Sequence, residues 1–373
     1  MMEPEVHLFI LWSNARKWQE EILADLKTRY AYVKLYEITW SEKFIESNFS
    51  RFFEKPMNMR EILAKYGVGE FLICIAEGNQ IDVPTILSVH NKQLDIPTSI
   101  YYAIDLKKIN RDVTLLFGKN IAELQQDESY KMQTPQRMAR DLEGASEWRN
   151  LSHVFYVMNN TLSYCVLRNE DTLLNDYDSN EYGDIDLLVE NLEKAKYVIN
   201  GKKYLSSYLY PGMYHVNVAG KNVEFDLAFA GDGYMDKRWE NDVLRSARPS
   251  PPPYSVVLMT ASPMHQYFTL LYHAYVHKTY LSDDYHNKLS KYALFIGATH
   301  RDDVPYSMKQ LETFMKEHGY MFTIPTQNEG KINWSNLRYV EIYPKLRKKY
   351  LVTRKSVSEI RRVLNGIIKR LKR

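Results

Sequence analysis

The chain is poor in cysteine, with Cys74 and Cys165 the only two in 373 residues. Both lie in apolar runs, FLICIA and YCVL, and read as buried reduced thiols. That excludes a disulfide framework and a cysteine-built zinc site. Long apolar runs are missing too, and none approaches the roughly 20 residues of a membrane-spanning helix. The opening MMEPEVHLFILW has no basic start and only a brief apolar stretch, so a secretory leader is not expected and a cytoplasmic protein is. No glycine-rich loop follows the first apolar run, where the turn is Ser13-Asn14-Ala15. A dinucleotide-binding Rossmann unit is therefore not expected. An overall excess of one charge is also lacking, since the chain carries only +3.

That near-balance hides an asymmetry. From Lys345 to Arg373 there are 12 Lys or Arg and one acid, Glu359, a net +11, which leaves the rest of the chain near −8. In this tail Val357, Ile360, Leu364, Ile367 and Leu371 recur at three- and four-residue steps, the apolar stripe of a helix. Arg361, Arg362, Lys369, Arg370, Lys372 and Arg373 fill the remaining faces. Such a helix can pack on its own protein with a solvated basic face. It can also lie on an anionic membrane, or bind nucleic acid. The acidic remainder disfavours wrapping a duplex.

What is present suits a packed globular protein: 45% apolar residues, 13% aromatic, and 29 tyrosines. The length predicts two or three domains. Residues 1–130 read as an α/β unit, with VHLFILW, AYVKLYEITW and GEFLICIAE as strands and ARKWQEEILADLKTRY as a helix. Its role stays open between ligand binding and docking. The polar stretch 125–145 reads as a linker. Residues 140–250 form a second unit: helix SEWRNLSHVFYVMNN, strand YCVLRN, strand DIDLLV, helix NLEKAKYVING, and the strand-like KYLSSYLY, MYHVNVAG and KNVEFDLAFAG. The proline-rich RPSPPPY, 248–254, breaks the pattern. Residues 260–340 are helical, and 345–373 are the basic tail. The expected class is α/β plus α: a small N-terminal α/β domain, a central mixed sheet and a C-terminal helical region.

The chemistry gathers at GDIDLLV. Side chains alternate along a strand, so Asp184 and Asp186 share a face while Ile185 points to the opposite layer. Neighbouring carboxylates repel unless a cation lies between them, and a hard divalent ion prefers oxygen ligands. Asp226 lies in a second apolar strand, VEFDLAF, with Glu224 on its face. If the two strands adjoin, three carboxylates converge. A D-x-D triplet alone is weak, and Asp176-Tyr177-Asp178 is another in a loop. Acids inside apolar strands are stronger, because they destabilise unless paired or metal-bound.

These segments together, YCVLRN, GDIDLLV and VEFDLAF, resemble the core of the DNA polymerase β-type nucleotidyltransferase superfamily, over about residues 145–245. The resemblance is best to uncharacterised bacterial branches. It implies a mixed sheet backed by helices. It also implies that Asp184 and Asp186 bind two Mg²⁺ (or Mn²⁺) ions and that Asp226 holds one beside the attacking hydroxyl. The superfamily's Gly-Gly or Gly-Ser turn is replaced here by Leu167-Arg168-Asn169-Glu170. Arg168 can grip phosphate through its fork of donors, and Asn169 can hydrogen-bond it. This departure is equally compatible with the related LicD/fukutin-like phosphotransferases, which move a phospho-alcohol from a CDP-linked donor to a sugar. The segment AGDGYMDKRWENDVL resembles relatives tied to bacterial surface-polysaccharide clusters.

The resulting expectation is a metal-dependent transferase. It would move a phospho-alcohol or nucleotidyl group from a nucleotide-linked donor to a glycan or lipid-linked glycan hydroxyl. The basic tail would bring it to the inner membrane face. Further candidates for the donor pocket are His273, His277 and Lys278 in YHAYVHK, where the histidines are four apart and share an α-helical face. They read equally as packing residues. Asp232, between Gly231 and Gly233, is a ligand contact or a turn former. Asp283, Asp284 and Tyr285 open the next helix as possible caps. Asp186→Ala is expected to abolish transfer and leave folding intact. An Asp226 turned away, or an acid of the trio sealed in an ion pair with Lys or Arg, would end the transferase reading. The alternatives are a toxin-like nucleotidyltransferase acting on RNA or protein, a non-catalytic binding protein, and a nucleic-acid binder through the tail.

Overall fold

The computed structural model describes residues 5–78, 99–127, 135–169, 173, 184–203, 212–250, 256–323 and 332–348. It is a mixed α/β structure with two mixed sheets and a helical C-terminal part.

The first sheet contains β1 (Glu5–Leu11), β2 (Tyr32–Thr39), β3 (Phe71–Gly78), β4 (Ile100–Ala103) and β5 (Gln136–Ala139), in the order β4-β1-β3-β2-β5. Only the β2–β5 pairing is parallel. A 3₁₀ turn (Ser13–Trp18), α1 (Gln19–Arg29), α2 (Ile45–Phe52), α3 (Met59–Lys65), α4 (Leu106–Phe117) and α5 (Ile121–Gln126) connect and cover it. The stretch read as a linker is therefore different: residues 136–139 are the fifth strand of this sheet. Polar alternation hid it, because QRMA lies on an edge and buries little. Arg137 pairs with Glu37 at 2.7 Å, which helps hold that edge.

The second sheet follows α6 (Leu151–Thr161). It contains β6 (Tyr164–Val166), β7 (Ile185–Val189), β8 (Met213–Val218), β9 (Lys221–Phe229), β10 (Arg248–Pro249) and β11 (Met259–Thr260), ordered β10-β11-β6-β7-β9-β8. Helix α7 (Leu192–Val198) lies between β7 and β8 in the chain, and α8 (Lys237–Arg245) follows β9. Residues 204–211, which include most of KYLSSYLY, lie outside the described residues. Pro249, within the expected break, is in the edge strand β10, a position that tolerates a missing N–H. Helices α9 (Pro263–Tyr272), α10 (Asp283–Phe295), α11 (Val304–Glu317) and α12 (Trp334–Leu337) complete the fold, and a π-helical turn (His273–His277) prolongs α9.

Strand alternation sorts the side chains into three cores. Phe9, Leu11, Leu72 and Cys74 pack with Ile22 and Leu26 of α1 on one face of the first sheet. The opposite face, through Ile10, Ile38 and Ile73, shares one continuous core with Val154, Tyr164, Leu187 and Phe225 of the second unit. Arg51 helps join them: it is buried and donates to the carbonyls of Glu143 (2.6 Å), Tyr197 (2.9 Å) and Val198 (3.0 Å). The far face of the second sheet, with Cys165 and Leu188, packs on Trp239, Tyr272 and Phe314 from the helices. Both cysteines are buried and neither forms a disulfide, as expected. Among the described residues no helix is long and apolar enough to cross a membrane. The tail beyond Lys348 lies outside the described residues.

Candidate functional site

Strands β7 and β9 are adjacent and parallel, with Asp186 directly opposite Asp226. Ile185 is buried in the shared core, so Asp186 lies on the other face, toward the C-terminal helices. Asp184, exposed, precedes β7 by one residue. One ligand oxygen from each of Asp184, Asp186 and Asp226 lies within 4.8 Å of the others. Glu224 does not join them; it meets His215 of β8 at 3.0 Å.

The three acids line a cavity of about 450 Å³. Gly212, at the start of β8, closes one side of it. Its carbonyl accepts the Leu227 N–H at 3.0 Å. A Cβ there would lie 2.4 Å from the Leu227 carbonyl oxygen and 3.3 Å from Asp226 Oδ1, so only glycine permits this approach. On another side are Arg168 and Asn169, just past β6. Asn169 takes a left-handed conformation, φ 60°, the backbone geometry that glycine favours in a tight turn.

Arg168, expected as a phosphate grip, here meets the acidic cluster and a histidine. One arm of its guanidinium donates to Asp186 Oδ1. The other lies 2.7 Å from Nε2 of His273. Since arginine only donates, that nitrogen accepts, and the His273 proton is assigned to Nδ1, which faces the Tyr234 hydroxyl. His273 is thus neutral. Burial first, then Arg168, Lys278 and His277, holds its pKa well below the ordinary value. Burial likewise pushes the Asp186 carboxyl up; Arg168 opposes this and Asp184 adds to it. Burial works against the Arg168 charge, yet Asp186, Tyr234 and Tyr285 raise its pKa overall. The donor-only guanidinium at contact favours the ionised carboxylate.

No protein-family model and no curated protein matches this chain. The site therefore rests on its own geometry. Three carboxylates supply hard oxygen donors of the kind Mg²⁺ takes, and their mutual repulsion favours a cation among them. Those residues fit a divalent ion. The Arg168–Asp186 ion pair is the kind of contact expected to end the transferase reading, because it already neutralises one acid; Asp186 is paired but not sealed, since it still lines the cavity and lies within reach of Asp184 and Asp226.

The other candidates separate. Lys278 lines the cavity, as does His273, whose ring is roughly parallel to Tyr285 at 5.8 Å. His277 does not line it. Its ring stacks on Tyr234 at 4.4 Å, and Nε2–H faces the Tyr234 carbonyl at 3.3 Å. Burial lowers its pKa to about 4, so it is a neutral packing residue. The α-helical spacing also fails here, because the segment is a π-turn, closed by Lys278 N–H to the His273 carbonyl. Asp232 borders the cavity but accepts from the N–H groups of Phe229 (3.1 Å) and Tyr234 (2.7 Å), so it holds the turn. Behind it, buried Glu240 accepts from Gly231 and Met235 N–H groups. Burial and then Asp232 push the Glu240 carboxyl up to about 8. Ser282, rather than Asp283 or Asp284, occupies the N-cap position of α10.

Lys288 and the aromatic lining of Tyr234 and Tyr285 were not foreseen as site residues. Lys288 lies one turn beyond Asp284 on α10, pairs with it at 2.7 Å, and donates to Asn169 Oδ1 at 2.8 Å. Tyr285 and Lys288 are three apart on a helix, a shared face that the sequence does contain. Nothing in the sequence aims that face at β6.

Proposed function

We propose that the cavity is the centre of a divalent-cation-dependent transferase, moving a phospho-alcohol or nucleotidyl group from a nucleotide-linked donor to a hydroxyl. The observation that carries this reading is the cross-strand pair Asp186–Asp226, with Asp184 joining it inside 4.8 Å. Asp184, Asp186 and Asp226 would hold Mg²⁺ or Mn²⁺. Bound there, the ion lowers the pKa of an acceptor hydroxyl and offsets charge on the departing phosphate.

The chain's own residues divide the remaining work. Asp226 accepts the hydrogen bond of the acceptor hydroxyl and orients it. Lys278 brings positive charge to the cavity for donor phosphate oxygens, and Lys288, paired with Asp284, lines it beside Asn169. Tyr285 and Tyr234 offer a flat wall for a ring of the donor. The resemblance noted above supports a surface glycan or its lipid-linked precursor as acceptor, with peripheral membrane attachment through the basic tail.

A thermal-shift screen of nucleoside triphosphates and CDP-alcohols with Mg²⁺ tests the donor, because a ligand bound only by the folded state raises Tm. Labelled triphosphates offered with RNA and protein test the toxin-like alternative. For catalysis, Asp186→Ala is a poor probe, because it strands the part-buried Arg168 charge and is expected to destabilise the fold as well. Asp226→Asn keeps the shape and is expected to remove at least 99% of transfer while circular dichroism stays unchanged. Full transfer by this variant would end the proposal.

The Arg168–Asp186 pair favours a second reading, a binding protein whose acids no longer take metal. Mn²⁺ titration of the wild-type chain separates the two readings.

A further inference from the structure

We infer that Arg168 is a resident counter-ion of the acidic cluster, and that a divalent cation binds only in competition with it for Asp186. This rests on the functional reading above. The geometry is specific. Arg168 spans two anchors, a carboxylate at one arm and the neutral His273 imidazole at the other. His273 is itself held by Tyr234 at Nδ1 and lies 3.0 Å from the Tyr285 hydroxyl at Nε2. The guanidinium is therefore tethered beside the cluster whether or not Asp186 holds it.

The three acids outnumber Arg168, so a divalent ion still meets an acidic cluster, with Lys278 of the same cavity also acting on Asp186. The arginine thus lets the cluster exist in a folded chain before any ion arrives, and lowers its affinity for one. An Asp186 given over to a cation frees one arm of Arg168 within the cavity, where a phosphate oxygen is the matching acceptor. That exchange would turn the counter-ion into the phosphate grip that its place in the sequence suggests. His273 is then a positioning residue, acting through Arg168.

The test is Mn²⁺ binding, followed by the paramagnetic signal of the free ion, on the full chain carrying Arg168→Gln, Arg168→Lys or Asp226→Asn. Removing a positive charge a few ångströms from the site is expected to tighten Mn²⁺ binding about tenfold or more in Arg168→Gln. Arg168→Lys keeps the charge but cannot span both anchors, so it falls between that variant and the wild type. It also serves if Arg168→Gln does not fold. Asp226→Asn weakens binding at least about tenfold. Binding that is equal or weaker in both Arg168 variants, with Asp226→Asn still damaging, overturns the counter-ion and leaves the metal site standing. No saturable binding by any of the four proteins overturns the metal site, and the counter-ion with it.

Discussion

Glu240 shows how a single buried acid sets a pH dependence. It is fully buried beside Asp232, and its carboxyl rises from 4.5 to about 8. A raised pKa means that the folded state holds the proton more tightly than the unfolded chain. Its stabilising effect is complete below about pH 4.5 and is lost as pH climbs through about 8. Glu240→Gln retains a donor toward Asp232 and cannot ionise; it gives up one of the two backbone N–H bonds to Gly231 and Met235, a loss that lowers Tm at every pH and leaves the slope as the readout. It is expected to flatten the fall in Tm between pH 5 and 8 by at least ~2 °C relative to wild type. A melting series across that range checks it, and parallel curves would refute it. Lys288 makes the opposite point at the same scale. Its charge was visible in the sequence, but its contact with Asn169, 119 positions away, exists only after folding.

Among the elements, the strands of the site were the most legible. Leu187 and Val189 alternate with Asp186 and Leu188, so one glance at the period assigns both faces of β7. The parallel β7–β9 register was not legible, because nothing local specifies which apolar strand lies beside which. The short polar β5 and the π-turn at 273–277 were missed for a different reason. An edge strand buries too little to show a pattern, and a one-residue helical insertion leaves the composition unchanged. Gly212 gives the test at this scale. Gly212, just ahead of β8, lies so close to Leu227 that Gly212→Ala must push β8 away from β9 or shift Asp226. The variant is expected to lose about 1–3 kcal/mol in a urea melt and to weaken Mn²⁺ binding. An unchanged midpoint would show that the strand end yields without strain.

At the scale of the whole molecule, the expected border near residue 130 falls before β5 and beside a core that both sheets share. Arg51 reinforces that junction with three carbonyls, and burial lowers its pKa to about 9. A fragment of residues 1–130 would lack an edge strand and expose the apolar face that normally meets Val154 and Phe225. It is expected to be aggregated or poorly folded, and a well-dispersed amide NMR spectrum from it would contradict this. The full chain should instead melt the two sheets together, read as coincident far-ultraviolet and tryptophan-fluorescence transitions. The common interior has a genetic corollary. A recombination event that carried off only the segment bearing the three aspartates would deliver a fold fragment with a raw, sticky flank to its new host protein. The two halves are thus bound to be inherited as a pair.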